Sequence, residues 1–157
     1  MIIYIGSDHR GFEHKEVIKK HVADLGYEII DVGNEKYDKQ DDFSDFAEKV
    51  AQKIVLGDDL GILICGSGVG MDIVANKFPG VRSALVSSVE QAVEAKKDDD
   101  VNVLTLASDF TSIEDSKKIV GSWLEAKFSG EDRYKRRIKK IHDIEGKICP
   151  QDDISNK

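Results

Sequence analysis

Five short apolar runs, rich in β-branched residues and separated by helical patterns, restrict this chain to one fold class. The runs are Ile2 to Ile5, Tyr27 to Val32, Leu60 to Cys65, Val81 to Val86 and Val101 to Leu106. Their length and composition are those of buried strands. Between them the apolar spacing changes to that of helices. Phe12 to Leu25 carries Val17, Ile18, Val22 and Leu25 on one face, with Gly26 as a stop. Phe43 to Leu56 carries Phe43, Phe46, Val50 and Ile54. A third helix spans Met71 to Lys77, and Ser87-Ser88 can cap a fourth that runs through Lys96 or Lys97. Ser112 with Asp115 three residues on resembles a capping box for a helix to about Lys127. A basic last helix is expected from about Asp132 to Glu145.

Strands alternating with helices build βαβ units, whose parallel sheet must be covered on both faces. The expected fold is α/β: a three-layer, Rossmann-like arrangement with a five-stranded parallel sheet and helices on both faces. At 157 residues the chain reads as one domain over 1–147, followed by a polar tail over 148–157 expected to fray. The formal net charge of −7 argues against non-specific binding to nucleic acid or membranes. Only two cysteines occur, Cys65 and Cys149, so no disulfide framework is implied. The N-terminus reads as a strand at once rather than as a signal peptide, and no apolar run is long enough to span a bilayer. The expected setting is reducing cytoplasm.

Open sheets of this kind bind ligands beyond the carboxyl ends of their strands. Two polar turns lie there. The first follows Leu60 to Cys65 and reads Gly66-Ser67-Gly68-Val69-Gly70. Glycines let backbone approach a ligand closely, and the first N–H groups of the next helix are unpaired and positively polarised. Cys65 ends the strand facing this pole, so its thiol is expected to ionise more easily than a free one. Taken alone, the G-x-G-x-G pattern fits a ligand-free turn equally well, and buried strand cysteines are commonly inert.

The second turn, Ser7 to Gly11, holds Asp8 and His9, a pair able to move protons or hold hydroxyls and phosphate. The bland alternative is a helix-capping aspartate beside a loop histidine. Near the C-terminus Arg133 and Arg137 stand one helical turn apart and share a face. Two guanidiniums so placed can grip a phosphate, or can form a solvated basic face.

SDHRGFEHK after the first strand, GILICGSGVGMDIVANK followed by PGVRSAL, NVL on the fifth strand and RYKRRI near the end are similar to the ribose-5-phosphate isomerase B family. That family also includes the galactose-6-phosphate isomerase subunits. The resemblance covers residues 1 to about 145. It implies aldose–ketose interconversion of a sugar phosphate through an enediolate, without metal or cofactor. By resemblance, Cys65 is the base and Gly66, Ser67, Gly68, Val69 and Gly70 bind the developing oxyanion, with Ser67 helping to move protons. Asp8 then holds sugar hydroxyls, while His9, Arg133 and Arg137 hold the phosphate. Family sites form between subunits, so a homodimer or tetramer is implied.

The chain departs from the family pattern at several positions. Asp98 stands where the family has a ring-opening histidine, Asp99 where it has a substrate-contacting asparagine, and Asp109 where it has a substrate-contacting arginine. Phe43-Ser44 replaces a tyrosine–proline pair. A carboxylate about 6 Å from a phosphate costs on the order of 3 kcal/mol at an effective dielectric of about 20. The three aspartates therefore imply a changed sugar preference, with Asp98 able to act as the ring-opening acid/base. Two classes of function follow: an isomerase of ribose 5-phosphate or a related sugar phosphate, and a sugar-phosphate-binding or hetero-oligomer partner subunit without turnover. The intact Cys65 and Ser67 favour the first.

Overall fold

A computed structural model describes residues 1–55 and 57–148. The elements alternate as the sequence pattern predicts: β1 (Ile2–Ser7), α1 (Phe12–Asp24), β2 (Glu28–Asp31), α2 (Phe43–Ile54), β3 (Leu60–Cys65), α3 (Val69–Ala75), β4 (Ser83–Leu85), α4 (Val89–Asp99), β5 (Val103–Ala107), α5 (Ile113–Glu125) and α6 (Asp132–Ile148). The five strands form one sheet in the order β2-β1-β3-β5-β4, and every pairing is parallel. Leu56 and the expected tail from Cys149 onward lie outside the described residues. Position 148 continues α6.

Strand periodicity sorts the core into two layers. Ile62 and Ile64 of β3, with Ile3, Ile5, Leu104 and Leu106, face Ile18 and Val22 of α1, Ala92 of α4, and Ile119, Val120 and Trp123 of α5. Leu63 and Cys65 face the other way, with Val103, toward Phe46, Val50 and Ile54 of α2 and Met71 and Ala75 of α3. All six residues of β3 are buried, as befits the central strand.

The helix ends follow the sequence signals closely. Ser88 Oγ accepts the Gln91 N–H at 3.2 Å, and Ser112 Oγ accepts the Asp115 N–H at 3.1 Å. The second cap is half of a capping box: Asp115 accepts the Ser112 hydroxyl at 2.8 Å instead of reaching back to its backbone. Past α1, Gly26 N–H bonds Ala23 O and Tyr27 N–H bonds Val22 O, the paired bonds of a Schellman ending. The edge strand β4 is shorter than its apolar run. Asn102 Oδ1 takes the Arg82 N–H at 2.7 Å, which removes that donor from the ladder.

The chain winds outward from β1 to β2, then crosses back to β3 on the other side of β1. The crevice between the carboxyl ends of β1 and β3 is therefore the topological switch point of the sheet. Beside it, Lys15 is fully buried and its Nζ donates to Asp31 at 2.6 Å and to Asn34 O at 2.8 Å. These bonds tie the loop after β2 to α1. Replacing Lys15 by Ala should destabilise the fold by about 2–4 kcal/mol, the scale for breaking a buried charged pair. Urea unfolding followed by Trp123 fluorescence measures the loss.

Candidate active site

Cys65 closes β3 with 4% of its surface exposed, and its Sγ accepts the Gly68 N–H at 3.1 Å. That bond exists because Gly68 takes φ +76°, a left-handed conformation that turns the chain into α3. Ser67 and Val69 lie exposed on the turn, while Gly66 and Gly68 are buried. The expected easy ionisation of the thiol is not what this environment gives. Burial pushes the Cys65 thiol up and the neighbouring Asp8 carboxylate pushes it further. The backbone N–H groups of Gly68, Met71 and Ser67 pull it down without offsetting both. The seven-residue α3 is too short for its dipole to outweigh the loss of water.

Asp8 is also buried, and its Oδ1 accepts the N–H groups of Arg10 and Gly11, each at 3.0 Å. Burial raises its pKa. The Gly11 bond and His9 oppose the rise, and Asp41 adds to it. His9 Nδ1 lies 2.6 Å from Asp41 Oδ1, and Asn34 Nδ2 donates to the other oxygen of Asp41. Asp41 thus fixes the histidine ring, whose edge also meets Tyr37. Sequence reasoning missed Asp41, which sits in a polar loop with no spacing rule to mark it.

The loop after β5 joins this crevice. Ser108 N–H donates to Cys65 O and Asp109 N–H to Gly66 O, both at 3.0 Å. The Ser108 hydroxyl lies 3.1 Å from Arg10 O and 3.2 Å from Cys65 O. Ser108, also missed from sequence, stitches together the turns after β1, β3 and β5. The Asp109 carboxylate pairs with the Arg10 guanidinium. A cation therefore stands directly beside the Asp109 charge.

The remaining expected site residues lie elsewhere in the chain. α4 runs back against the strand direction, so Asp98 and Asp99 in its last turn sit near the amino end of β5. The five residues of β5 alone separate them from the crevice by about 16 Å along the sheet. Asp98 near the Tyr134 hydroxyl raises that phenol, and the hydroxyl accepts from Arg133 Nη2 at 2.7 Å. Arg133 and Arg137 lie over the Tyr134 ring at 4.4 and 5.5 Å. One chain thus carries two clusters: Asp8, His9, Cys65, Gly66 to Gly70 and Asp109 at one end of the sheet, and Asp98, Asp99, Arg133 and Arg137 toward the other. Among the described residues, no group of three or more His, Cys, Asp or Glu could hold a metal ion, and no helix is long and apolar enough to cross a membrane.

A doubly wound sheet with a thiol, a buried carboxylate and a backbone cradle at its switch point defines an α/β protein built around a small-molecule site. Comparison with known proteins narrows this class. The family model described as Ribose/Galactose Isomerase matches residues 3–141. The chain is 39% identical to ribose-5-phosphate isomerase B of Escherichia coli K12, over 91% of this chain and 95% of that one. A crystal structure of ribose-5-phosphate isomerase B from Mycoplasma genitalium with bound ribulose-5-phosphate superposes with a TM-score of 0.89, at 43% identity, covering 92% and 95% of the two chains. The Clostridium thermocellum ribose-5-phosphate isomerase B structure gives a TM-score of 0.91 at 39% identity, over 95% of this chain and all of its own. The chain belongs to the ribose/galactose isomerase family.

Because the Asp8 carboxylate raises the Cys65 thiol, Asp8→Asn should lower the pH at which that thiol ionises. The rate of iodoacetamide alkylation against pH reads this directly. The midpoint should move to lower pH in the variant.

Proposed function

We propose that this protein interconverts ribose 5-phosphate and ribulose 5-phosphate through an enediolate, without metal or cofactor, with Cys65 as the base. The observation that carries the reading is the Cys65 sulfur, 3.1 Å from the Gly68 N–H, at the edge of the Gly66 to Gly70 cradle. The thiolate removes the proton from C2 of the open-chain aldose, and the C2–H electron pair forms the C1–C2 double bond. The aldehyde π pair moves to O1, where cradle N–H groups and the Ser67 hydroxyl meet the developing charge. Protonation at C1 by the Cys65 thiol, with transfer of a proton from O2 to O1, gives the ketose. Asp8 holds sugar hydroxyls and His9, backed by Asp41, holds phosphate. A raised thiol pKa makes kcat/KM climb with pH, since the active form is the thiolate.

The second cluster enters the same site from another copy of the chain. In this reading Asp98, Asp99, Arg133 and Arg137 of the partner subunit complete the pocket. Asp98 of the partner subunit opens the furanose ring, and Arg133 and Arg137 of the partner subunit grip the phosphate. Support comes from the separation of the clusters and from α6 itself. Its Ile141, Ile144 and Ile148 are exposed and line a groove with Val81, Ala84 and Val101 at the β4 edge, a surface suited to a second copy.

Conversion of ribose 5-phosphate to ribulose 5-phosphate, followed by the ketose absorbance, tests the activity. Cys65→Ser should abolish it while leaving the affinity for ribose 5-phosphate within a few fold, because a hydroxyl is a far weaker base than a thiol. The shared site has its own test. Arg137→Ala should raise KM more than it lowers kcat, by roughly 10- to 100-fold for a lost charged hydrogen bond. At ribose 5-phosphate well below the Arg137→Ala KM, mixing Cys65→Ser and Arg137→Ala proteins and allowing subunits to exchange should restore about a quarter of the wild-type activity, because half the dimers then hold one intact site. No recovery after demonstrated exchange would place each site within one chain.

A further inference from the structure

Arg10 is the charged residue of the β1 turn to which the proposed mechanism gives no role. Its side chain is 55% exposed, yet it is held at several points. Its N–H donates to Asp8 Oδ1 at 3.0 Å, and its carbonyl lies 3.1 Å from the Ser108 hydroxyl. The guanidinium lies against the backbone of Gly66. A methyl group at that position would meet Arg10 Cζ at 2.5 Å and Nη1 at 2.8 Å. Nη2 donates to Asp109 Oδ2, 99 positions along the chain. Among the described residues Asp109 is the only acceptor for this guanidinium, so Nε and Nη1 keep N–H groups to offer beside the cradle.

A surface pair of this exposure contributes little to stability. What the arrangement does is hold a cation against Gly66, at the start of the glycine cradle. We propose that Arg10 is a substrate-contacting residue that donates to an anionic oxygen of the bound sugar phosphate, and that Asp109 is its positioning residue. This rests on the isomerase reading for the identity of the ligand. It needs glycine at 66, since any side chain there would displace the guanidinium. It also reverses the role expected of Asp109: the carboxylate aims a cation at the ligand.

The test uses the full chain and separates binding from turnover. Calorimetric titration of the Cys65→Ser protein with ribose 5-phosphate, and separately with inorganic phosphate, reads affinity without chemistry. Kinetics with Cys65 intact read kcat. If the anionic oxygen is on the phosphate, Arg10→Ala should weaken both ligands at least tenfold and raise KM. If it is the enediolate oxygen, affinity should hold and kcat should fall at least tenfold. Either result supports the proposal, and Arg10→Lys should recover part of the loss. Asp109→Asn should move the same parameter in the same direction by a smaller factor, and adding it to Arg10→Ala should cost little more. Arg10→Ala protein with unchanged Tm and with affinity, KM and kcat all within twofold of the parent would overturn the proposal. So would tighter phosphate binding in Asp109→Asn, because it would make that carboxylate a repulsive charge. A parent protein that binds ribose 5-phosphate without isomerising it would refute the isomerase reading alone, since the titrations still report on Arg10.

Discussion

The polarity of a parallel sheet decides where chemistry can gather in this protein. Every strand points the same way, so the turns after β1, β3 and β5 meet at one end, and the segments before the strands collect at the other. Asp8 and Cys65 fall after strands and come together. Asp98 and Asp99 fall before β5 and cannot reach them within one chain. No side-chain rotamer spans a separation of about 16 Å, so a site that needs both clusters needs two copies. The apolar stripe of α6 and the basic pair it carries are on the same element. A second copy that docked on that stripe would meet those arginines in the same event.

Within the crevice, backbone hydrogen bonds join the turns and side-chain pairs orient the groups they carry. Ser108 and Asp109 donate their N–H groups to the carbonyls of Cys65 and Gly66, and the Ser108 hydroxyl reaches toward Arg10. Three loops that could move independently are joined around the candidate site, so a ligand bound there would meet a lower ordering cost. The same closeness has a chemical consequence. A thiol that is 4% exposed and beside Asp8 is hard to ionise. Its burial keeps water away from the sulfur, while the Gly68 N–H preserves one direct stabilisation of the thiolate.

Local features of this architecture are legible in the amino-acid sequence. The β3–glycine turn–α3 unit is written in an uninterrupted apolar run followed by glycines, and the Ser88 and Ser112 caps use side chains that act on their own helix. Local rules suffice for local bonds. What the sequence hides depends on contacts across the chain. The placing of β4 at the edge, and its shortening by Asn102, follow from a side chain 20 positions beyond Arg82. Asp41 reaches His9 over 32 positions. The direction of the Cys65 shift escapes sequence reasoning because helix position is visible there and burial beside Asp8 is not. Asp109 reads as a lost cation when charges are weighed one position at a time. The guanidinium that faces it, Arg10, stands at the other end of the domain.

The distribution of charge bears on how an acidic protein can receive a phosphate dianion. The chain carries a net −7, which taken as a whole would repel such a ligand. Screening limits that field to about 8 Å at physiological ionic strength. A phosphate therefore responds to the charges lining its approach, not to the sum over the surface. α6 concentrates seven Lys and Arg residues against three carboxylates, and Arg10 lies at the mouth of the opposite cluster. If α6 of one copy lies over the crevice of another, the two cationic elements face each other across the cleft, within a screening length of the bound phosphate. The acidic remainder lies farther off, where it favours solubility and disfavours polyanions too long to fit between the two. The departures at 98, 99 and 109 then look less like the loss of an anion site than like its rebuilding, with one guanidinium moved from the β5 loop to the β1 turn.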